Sequence, residues 1–192
     1  MGRGLPYQLG VTRSRFLLLF TFATVAAGAA VIIGWDALQL DRKVPSLVPT
    51  ESRATSILIE KQARRLTLWQ NDIALKAYDV SLGGDPVGQK QQEGDSRTPE
   101  GRYAIQFKHP KSRFHLALRI SYPNDEDRQR AKQRKISPGG DIMIHGLPNG
   151  MGWLGSMALR RDWTDGCIAV TNSQIEEIWS LVDVGTPVEI KP

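Results

Sequence analysis

The sequence predicts a mainly β domain, folded as a sandwich or a partly closed barrel with one or two short helices, behind an N-terminal transmembrane helix. Three observations support this prediction. From Ser56 onward, short segments of alternating apolar residues follow one another with turn residues between them. Only two stretches have a helical character. One uncharged stretch of twenty residues, Phe16 to Trp35, lies near the N-terminus.

The predicted strands account for most of the chain after Ser56. In the first two, apolar residues alternate with other side chains, as a half-buried strand requires: Ile57, Ile59, Leu66 and Leu68. The strand segments are SILIEK, RRLTLWQ, ALKAYDVSLG, RYAIQF, FHLALRISYP, DIMIHG, CIAVT and TPVEI. The long polar stretch GGDPVGQKQQEGDSRTPEG lies between the third and the fourth segments. Loops of this length in compact domains are usually functional or mobile.

The two helical segments differ in character. Asn124 to Lys135 has acids in its first turn and bases in its last, which complements the helix dipole. It has almost no apolar face, so we expect it to project into solvent. Ser173 to Val182 carries an apolar stripe that we expect to pack on the strand with Cys167. Ser173 and Glu176 are placed to form its capping box.

The uncharged stretch is long enough to cross a membrane, since twenty helical residues rise about 30 Å. Arg13 and Arg15 precede it and Asp36 follows it, so the positive-inside rule keeps the N-terminus cytoplasmic and exports the domain. The small residues AAGAA also suit a cleaved signal peptide, whereas the apolar VIIGW after them favours an uncleaved anchor. The predicted division is a basic tail at 1–15, an anchor at 16–35, a linker at 36–55 and a domain at 56–191.

Charge and cysteine content exclude several classes. The net charge is +5, but three of the bases lie in the first fifteen residues and the rest of the chain carries only +2, which argues against nucleic-acid binding. The single cysteine rules out an internal disulfide. A lone cysteine is more often a small buried apolar residue than a nucleophile. No histidines, cysteines or carboxylates have zinc-site spacing, so a metal site is not expected.

A nucleophilic cysteine needs a base, because a thiol with a pKa of about 8.5 is mostly protonated at neutral pH. His109 lies in a charged turn and is expected to be exposed. His115 opens an alternating strand and is either a sheet residue or a substrate contact. His145 ends an apolar strand and precedes Gly146, so it is either a base facing a cleft or a structural histidine.

The residue before the cysteine also favours catalysis. Gly166 has no side chain to block the approach of a substrate to Cys167. The backbone amides of Gly166 and Cys167 are placed to bind a developing oxyanion.

The phrases IMIHG and TDGCI, with eighteen residues between His145 and Thr164, resemble the signature of the L,D-transpeptidase catalytic domain (the YkuD-like family). That signature is a histidine–glycine pair followed by Ser/Thr-His-Gly-Cys. The glycine-rich stretch is similar to the family's T-P-x-G-x-[FY] segment, here Thr98, Pro99, Gly101 and Tyr103. The resemblance covers roughly Ser56 to Ile190 and implies an L,D-transpeptidase-like β fold.

Carried over by position, the resemblance makes Cys167 the nucleophile, His145 the proton acceptor and donor, and Gly166 an oxyanion-binding backbone position. It implies substrate contacts at five positions: Gly146, Thr164, Asp165, Tyr103 and Trp153. The chain departs from the family pattern in three respects. Asp165 replaces the usual histidine, Ala169 stands where Arg or Asn is common, and the His-to-Thr spacing is at or past the long end of the range.

The resemblance further implies a peptidoglycan substrate in the bacterial cell envelope and a reaction that needs no metal, nucleotide or other cofactor. Cys167 would attack the carbonyl of an L-centre in a stem tetrapeptide, release D-alanine and pass the acyl group to the amine of a neighbouring stem. Carbapenem β-lactams are the implied inhibitors, and cell-wall organisation and cell shape are the implied processes. Two alternatives stay open: a hydrolase with the same Cys and His, and a catalytically silent wall-binding module in which Asp165 marks decay.

Overall fold

The computed structural model describes Met1 and residues 44–192. The predicted tail and anchor, and residues 36–43 of the predicted linker, lie outside the described residues. In the described part, no helix is both long and apolar enough to cross a membrane.

Eight strands and two α-helices make up the described domain, with two 3₁₀ segments at Thr50–Ser52 and Gly152–Arg160. The strands are β1 Ser56–Glu60, β2 Arg65–Gln70, β3 Ile73–Asp79, β4 Gly101–Ser112, β5 His115–Ile120, β6 Met143–His145, β7 Ile168–Ala169 and β8 Pro187–Lys191. The helices are α1 Asp125–Arg134 and α2 Asn172–Leu181. The mainly β prediction is confirmed.

All eight strands belong to one mixed sheet in the order β3-β2-β1-β8-β4-β5-β6-β7. The β1–β8 and β6–β7 pairs are parallel, and the other pairs are antiparallel. Two isolated bridges, Ser81 to Ala169 and Gly83 to Thr164, tie the chain after β3 to the region of β7. The sandwich, one of the two predicted forms, is wrong because β8 joins the two groups of strands into one open sheet.

The predicted alternation places the core correctly. Ile57, Ile59, Leu66 and Leu68 are each at most 1% exposed. Burial of one such side chain contributes roughly 1.5–3 kcal/mol. This contribution fixes which face of β1 and β2 points into the core.

Helix α2 buries its predicted stripe, since Ile175, Ile178 and Trp179 lie in the core. It packs on β5 and β6 and not chiefly on the strand after Cys167. The predicted Ser173–Glu176 capping box is also wrong. Thr171 is the N-cap, its side chain accepts from the Gln174 amide, and the Gln174 side chain accepts from the Thr171 amide. By contrast α1 is solvated as predicted, with only Asp127 and Ala131 buried.

Residues 48–55, expected as part of the linker, contact the domain. The Val48 amide donates to Ser180 O at 3.0 Å, and the Ala54 amide donates to Leu181 O at 2.8 Å. Ala54 is buried, and Arg53 forms an ion pair with Asp183. The packed chain therefore begins at Val48, eight residues before the first strand.

Candidate active site

The face of β6 and β7 that points away from the core brings the predicted cysteine and histidine together. Ile144 pairs with Ile168 and His145 pairs with Ala169. Because both isoleucines lie in the core, alternation puts His145 and Cys167 on the opposite face of neighbouring strands. The two residues are offset by two positions, which corresponds to about 8 Å between their Cα atoms. Their side chains therefore point into the same region of the surface.

His145 is held in one orientation and one tautomer. Its Nδ1 atom lies 2.7 Å from Gly146 O, and a carbonyl can only accept, so Nδ1 carries the proton and Nε2 is the basic nitrogen. The ring packs against both Phe114, at 4.5 Å, and Trp163, at 5.9 Å between centroids. Burial lowers the pKa of His145, so the imidazole is neutral at pH 7. A neutral imidazole with a free Nε2 can accept a proton.

The Cys167 thiol is protonated at neutral pH. Burial raises its pKa to about 11. The negative charges of Asp165 and Asp141 raise this pKa, whereas the Met143 amide and the charge of Lys90 lower it. The sulfur donates to Asp141 O at 3.6 Å. A thiol in this state requires a base before it can attack, and His145 lies on the same face of the sheet.

Thr164 shapes the turn that carries the cysteine. Its Oγ1 atom donates to Cys167 O at 2.7 Å and accepts from the Gly166 amide at 3.1 Å. Its backbone amide donates to Leu82 O, and its carbonyl accepts from the Gly84 amide. The buried hydroxyl is thus fully used inside the turn, which gives Thr164 a positioning role, while its substrate contact stays a prediction. The Gly166 amide can bind an oxyanion only by giving up this hydrogen bond.

Gly166 itself cannot carry a side chain. Its φ is +122°, and a Cβ there would lie 2.5 Å from Arg97 O. This close approach joins the cysteine turn to residues 83–100, which we call the wall loop.

The wall loop is braced by a buried lysine from outside it. Lys61 is 2% exposed, and its ammonium group donates to Gly88 O at 2.6 Å and to Thr98 O at 2.9 Å. It also pairs with Glu100 at 2.8 Å. Three bonds from one ammonium therefore fix both ends of the loop.

A second buried cation braces the wall loop from within. Lys90 pairs with Asp95 at 2.7 Å, and their side chains are 3% and 11% exposed. The Asp95 carboxylate also accepts from three backbone amides, those of Gln91, Gln92 and Arg97. Hydrogen bonds from Lys90 and these amides outweigh burial, which alone raises the pKa of Asp95, and lower it to about 2. The carboxylate is ionised throughout the neutral range.

Residues 148–163, which we call the open segment, lie in the chain between His145 and the cysteine turn. The open segment contains the kinked 3₁₀ stretch, with Gly155 at φ +50°. Trp153 is 76% exposed and Met157 is 52% exposed. The expected substrate contact at Trp153 therefore remains sterically open.

The other residues singled out from sequence have different surroundings. Tyr103 is buried, and its hydroxyl donates to Asp127 Oδ2 at 3.1 Å, so this side chain supports α1, while its substrate contact stays a prediction. Gly146 leaves no room for a Cβ, which would lie 2.8 Å from Asn172 Oδ1. Its carbonyl serves His145. Asp165 is exposed.

The other two histidines, His109 and His115, have surroundings that differ from those of the candidate base His145. His109 lies within β4, half-buried and against Phe107, so the prediction of an exposed turn is wrong. His115 Nε2 lies 2.6 Å from Glu176 Oε1 at the start of β5. Among the described residues, no group of three His, Cys, Asp or Glu side chains could hold a metal ion.

Comparison with known proteins identifies the family. The model of the L,D-transpeptidase catalytic domain (YkuD) matches residues 54–190. The chain belongs to this family.

Two kinds of relative accompany the L,D-transpeptidase match. YafK of Escherichia coli (strain K12), named as a candidate L,D-transpeptidase, is 31% identical over 132 residues, which are 66% of this chain and 46% of YafK. The helical cell shape determining protein Pgp2 of Campylobacter jejuni superimposes with a TM-score of 0.55 and 25% identity, covering 82% of this chain and 54% of Pgp2. Bd1075 of Bdellovibrio bacteriovorus superimposes with a TM-score of 0.51 and 26% identity, covering 77% of this chain and 51% of Bd1075. The chain thus spans about half the length of these relatives.

Several residues of this L,D-transpeptidase domain escape sequence reasoning. Lys61, Lys90 and Asp95 stand in polar sequence, where burial leaves no periodic signal. Phe114 and Trp163 contact the base but lie outside the motif. By contrast, the alternation of HLALRI does predict that Arg119 lies on the same face of its strand as Ala117.

Proposed function

We propose that the protein is a peptidoglycan L,D-transpeptidase in which Cys167 is the nucleophile and His145 the general base. The observation that carries the proposal is the shared face of β6 and β7, on which a neutral imidazole with a basic Nε2 accompanies a protonated thiol. Family membership supports the reaction class.

In the first half-reaction, His145 Nε2 takes the thiol proton and the sulfur attacks the carbonyl carbon of the L-centre in a stem tetrapeptide. The tetrahedral intermediate places negative charge on the former carbonyl oxygen, which backbone amides of the cysteine turn stabilise. The C–N bond breaks, and His145 returns the proton to the nitrogen of the departing D-alanine. A thioester on Cys167 remains.

In the second half-reaction, the side-chain amine of a neighbouring stem attacks the thioester. His145 takes a proton from this amine, the C–S bond breaks, and the sulfur recovers its proton. The product is a cross-link between two stems. Exposed Asp165 lies near enough to the sulfur for its charge to raise the thiol pKa, so it is placed to attract the ammonium form of such an acceptor.

Product analysis tests the reaction. The full-length protein is incubated with purified tetrapeptide muropeptides, and the products are identified by mass spectrometry. We expect free D-alanine and cross-linked dimers, and neither with Cys167→Ser. Tripeptides without dimers would replace the transferase with a hydrolase. No change in the muropeptides with a thiol that resists labelling in the folded state would favour a silent wall-binding module.

Substitution of Asp165 tests whether this carboxylate takes part in the reaction or only binds the acceptor. A carboxylate beside a thiolate disfavours ionisation of both groups, so Asp165 is not expected to react. Asp165→Asn should keep much of the D-alanine release, with a raised KM for the acceptor, whereas Cys167→Ser should release none. An equal collapse in both variants would make Asp165 a direct participant.

We place the catalytic domain outside the cytoplasmic membrane, held by an uncleaved anchor at 16–35. The uncharged length of that segment and its basic N-terminal flank support this placement. The relative Pgp2 is described as determining cell shape, and a role in cell-wall organisation is proposed here. Intact mass of the membrane-extracted protein tests the anchor, and a mature form beginning near Ala30 would contradict it.

A further inference from the structure

Arg119 lies on the same face of the sheet as the candidate nucleophile. It pairs with Met143 across β5 and β6, and Met143 is the neighbour of Cys167 by continuation of the β6–β7 register. Two strand spacings separate the Cα atoms of Arg119 and Cys167, which is about 10 Å. The three residues therefore form one row, with the guanidinium at one end and the thiol at the other.

The guanidinium of Arg119 is incompletely satisfied. Within the described part of the chain, its Nε is the only buried side-chain nitrogen or oxygen that has no hydrogen-bond partner. Its cross-strand neighbours, Phe107 and Met143, are apolar and offer the side chain no acceptor. An unsatisfied buried donor carries a free-energy cost. A neutral apolar residue in this strand position would avoid that cost, so the cation calls for a functional explanation.

The present partner of Arg119 is weakly held. Its Nη1 atom lies 3.2 Å from Asp141 Oδ1, with the two side chains 40% and 71% exposed. An ion pair this exposed contributes little to stability, so another anion can displace it. Arg119 is thus accessible, whereas Lys90, the cation whose charge lowers the thiol pKa, is buried and paired.

A stem tetrapeptide offers an anion at the required place. If Cys167 attacks the carbonyl before the last residue, the terminal carboxylate carbon is three bonds from the attacked carbon, which is about 4 Å. The planar guanidinium binds a carboxylate through two parallel hydrogen bonds. The long arginine side chain can cover the rest of the row.

We propose that Arg119 is a carboxylate-binding residue that recognises the free C-terminus of the departing amino acid. The assignment rests on the proposed reaction at Cys167. It makes the enzyme selective for peptides that end one residue after the attacked carbonyl. Asp141 then acts as the resting counter-ion, which substrate displaces.

The experiment compares two donors, a stem tetrapeptide with a free terminal carboxylate and the same peptide with a terminal amide. Release of the last residue by the full-length protein gives kcat/KM for each donor, and their ratio is the readout. We expect the wild type to prefer the acid by at least about tenfold, the size of one charge-assisted contact of about 1.4 kcal/mol.

Three variants separate binding from structure. Arg119→Met should reduce the acid-to-amide ratio to near one, mainly through a higher KM for the acid, while circular dichroism stays unchanged. Arg119→Lys should restore part of the ratio, because the ammonium keeps the charge but lacks the fork. Asp141→Asn should raise the ratio severalfold by removing the competing anion, and asparagine tolerates the left-handed backbone at φ +55°.

The matched control is Arg102→Met. Arg102 lies on β4 and pairs with Glu189 on β8, away from the β5–β7 face, with a side chain 88% exposed. Its ratio should equal that of the wild type. Equal turnover of acid and amide by the wild type, or an unchanged ratio in Arg119→Met, would contradict the carboxylate site alone. No turnover of either donor by the wild type would contradict the proposed reaction, and the site with it.

Discussion

The wall loop and the open segment flank the same cysteine turn but are built differently. Two buried ammonium groups, those of Lys61 outside the wall loop and Lys90 within it, bind carbonyls and carboxylates of the loop. In the open segment, Trp153 is 76% exposed and Met157 is 52% exposed. One segment is fixed by buried charge, and the other presents apolar surface to solvent.

This difference follows from what each segment must do. The wall loop approaches Gly166 so closely that a displacement of its backbone would move the cysteine turn. Its buried ion pairs fix the backbone of the wall loop, which contributes few apolar side chains to the core. In the open segment, Trp163 packs on the His145 ring, whereas the exposed Trp153 surface is available for a ligand. The wall loop, which contacts the cysteine turn at Gly166, is therefore the more firmly held of the two segments.

The largest expected effect comes from Gly166→Ala, which breaks the contact between wall loop and turn. The alanine Cβ would overlap Arg97 O and occupy φ +122°. Overpacking costs about 1–3 kcal/mol and the forbidden backbone about 1–3 kcal/mol more, so chemical denaturation should show a loss of several kcal/mol. The matched control is Gly155→Ala in the open segment, where φ is +50° and no atom lies within 4 Å of the added Cβ. It should lose only the backbone cost of about 1–3 kcal/mol, without the overpacking cost. Equal losses would remove the distinction between the two segments.

Asp95→Asn tests the bracing of the wall loop by charge. The pKa of Asp95 is lowered to about 2 in the folded state. A depressed carboxyl pKa stabilises the fold above the unfolded pKa of about 3.8 and loses this effect as pH falls toward 2. The wild type should therefore exceed the variant by about 2 kcal/mol at pH 7 and by about half of that at pH 3. Urea midpoints at the two pH values give the difference. A gap that does not change with pH would show that the Lys90–Asp95 pair does not brace the loop.

Trp153→Ala should have the smallest effect on stability. An exposed side chain without partners changes the free energy of unfolding by less than about 0.5 kcal/mol. If Trp153 contacts the donor peptide, KM should rise severalfold with little change in kcat. Denaturation and steady-state D-alanine release measure the two quantities. A stability loss above about 1 kcal/mol would mean that the open segment is packed.

Local patterns predicted the local parts of this fold. Alternation located the strands, because each one buries a single face, and the apolar stripe located α2. Two overlapping patterns fit the N-terminus of that helix, Thr171 with Gln174 and Ser173 with Glu176, and only the backbone geometry decides between them. The motif indicated Cys167 and His145 as a pair, and the β6–β7 register places them on one face.

Long-range pairing and burial of polar groups could not be predicted in the same way. No sequence pattern shows that β8 joins β1 to β4, and this pairing gives one open sheet in place of the sandwich that was one of the two predicted forms. Lys90 and Asp95 have the composition of a solvated loop, although their side chains are almost fully buried. Tyr103 fits the family motif, yet its hydroxyl is used by Asp127.

Acylation by a carbapenem is the most direct test of the pair formed by Cys167 and His145. With one cysteine in the chain, a thiol-linked adduct can form only on Cys167. The folded wild type should gain one covalent mass increment, and His145→Ala should slow this step by about 100-fold or more at pH 7. The defect should shrink as pH rises toward the thiol pKa of about 11, where the thiolate forms without a base. An adduct that forms equally fast without His145, or no adduct on the folded wild type, would contradict the assignment.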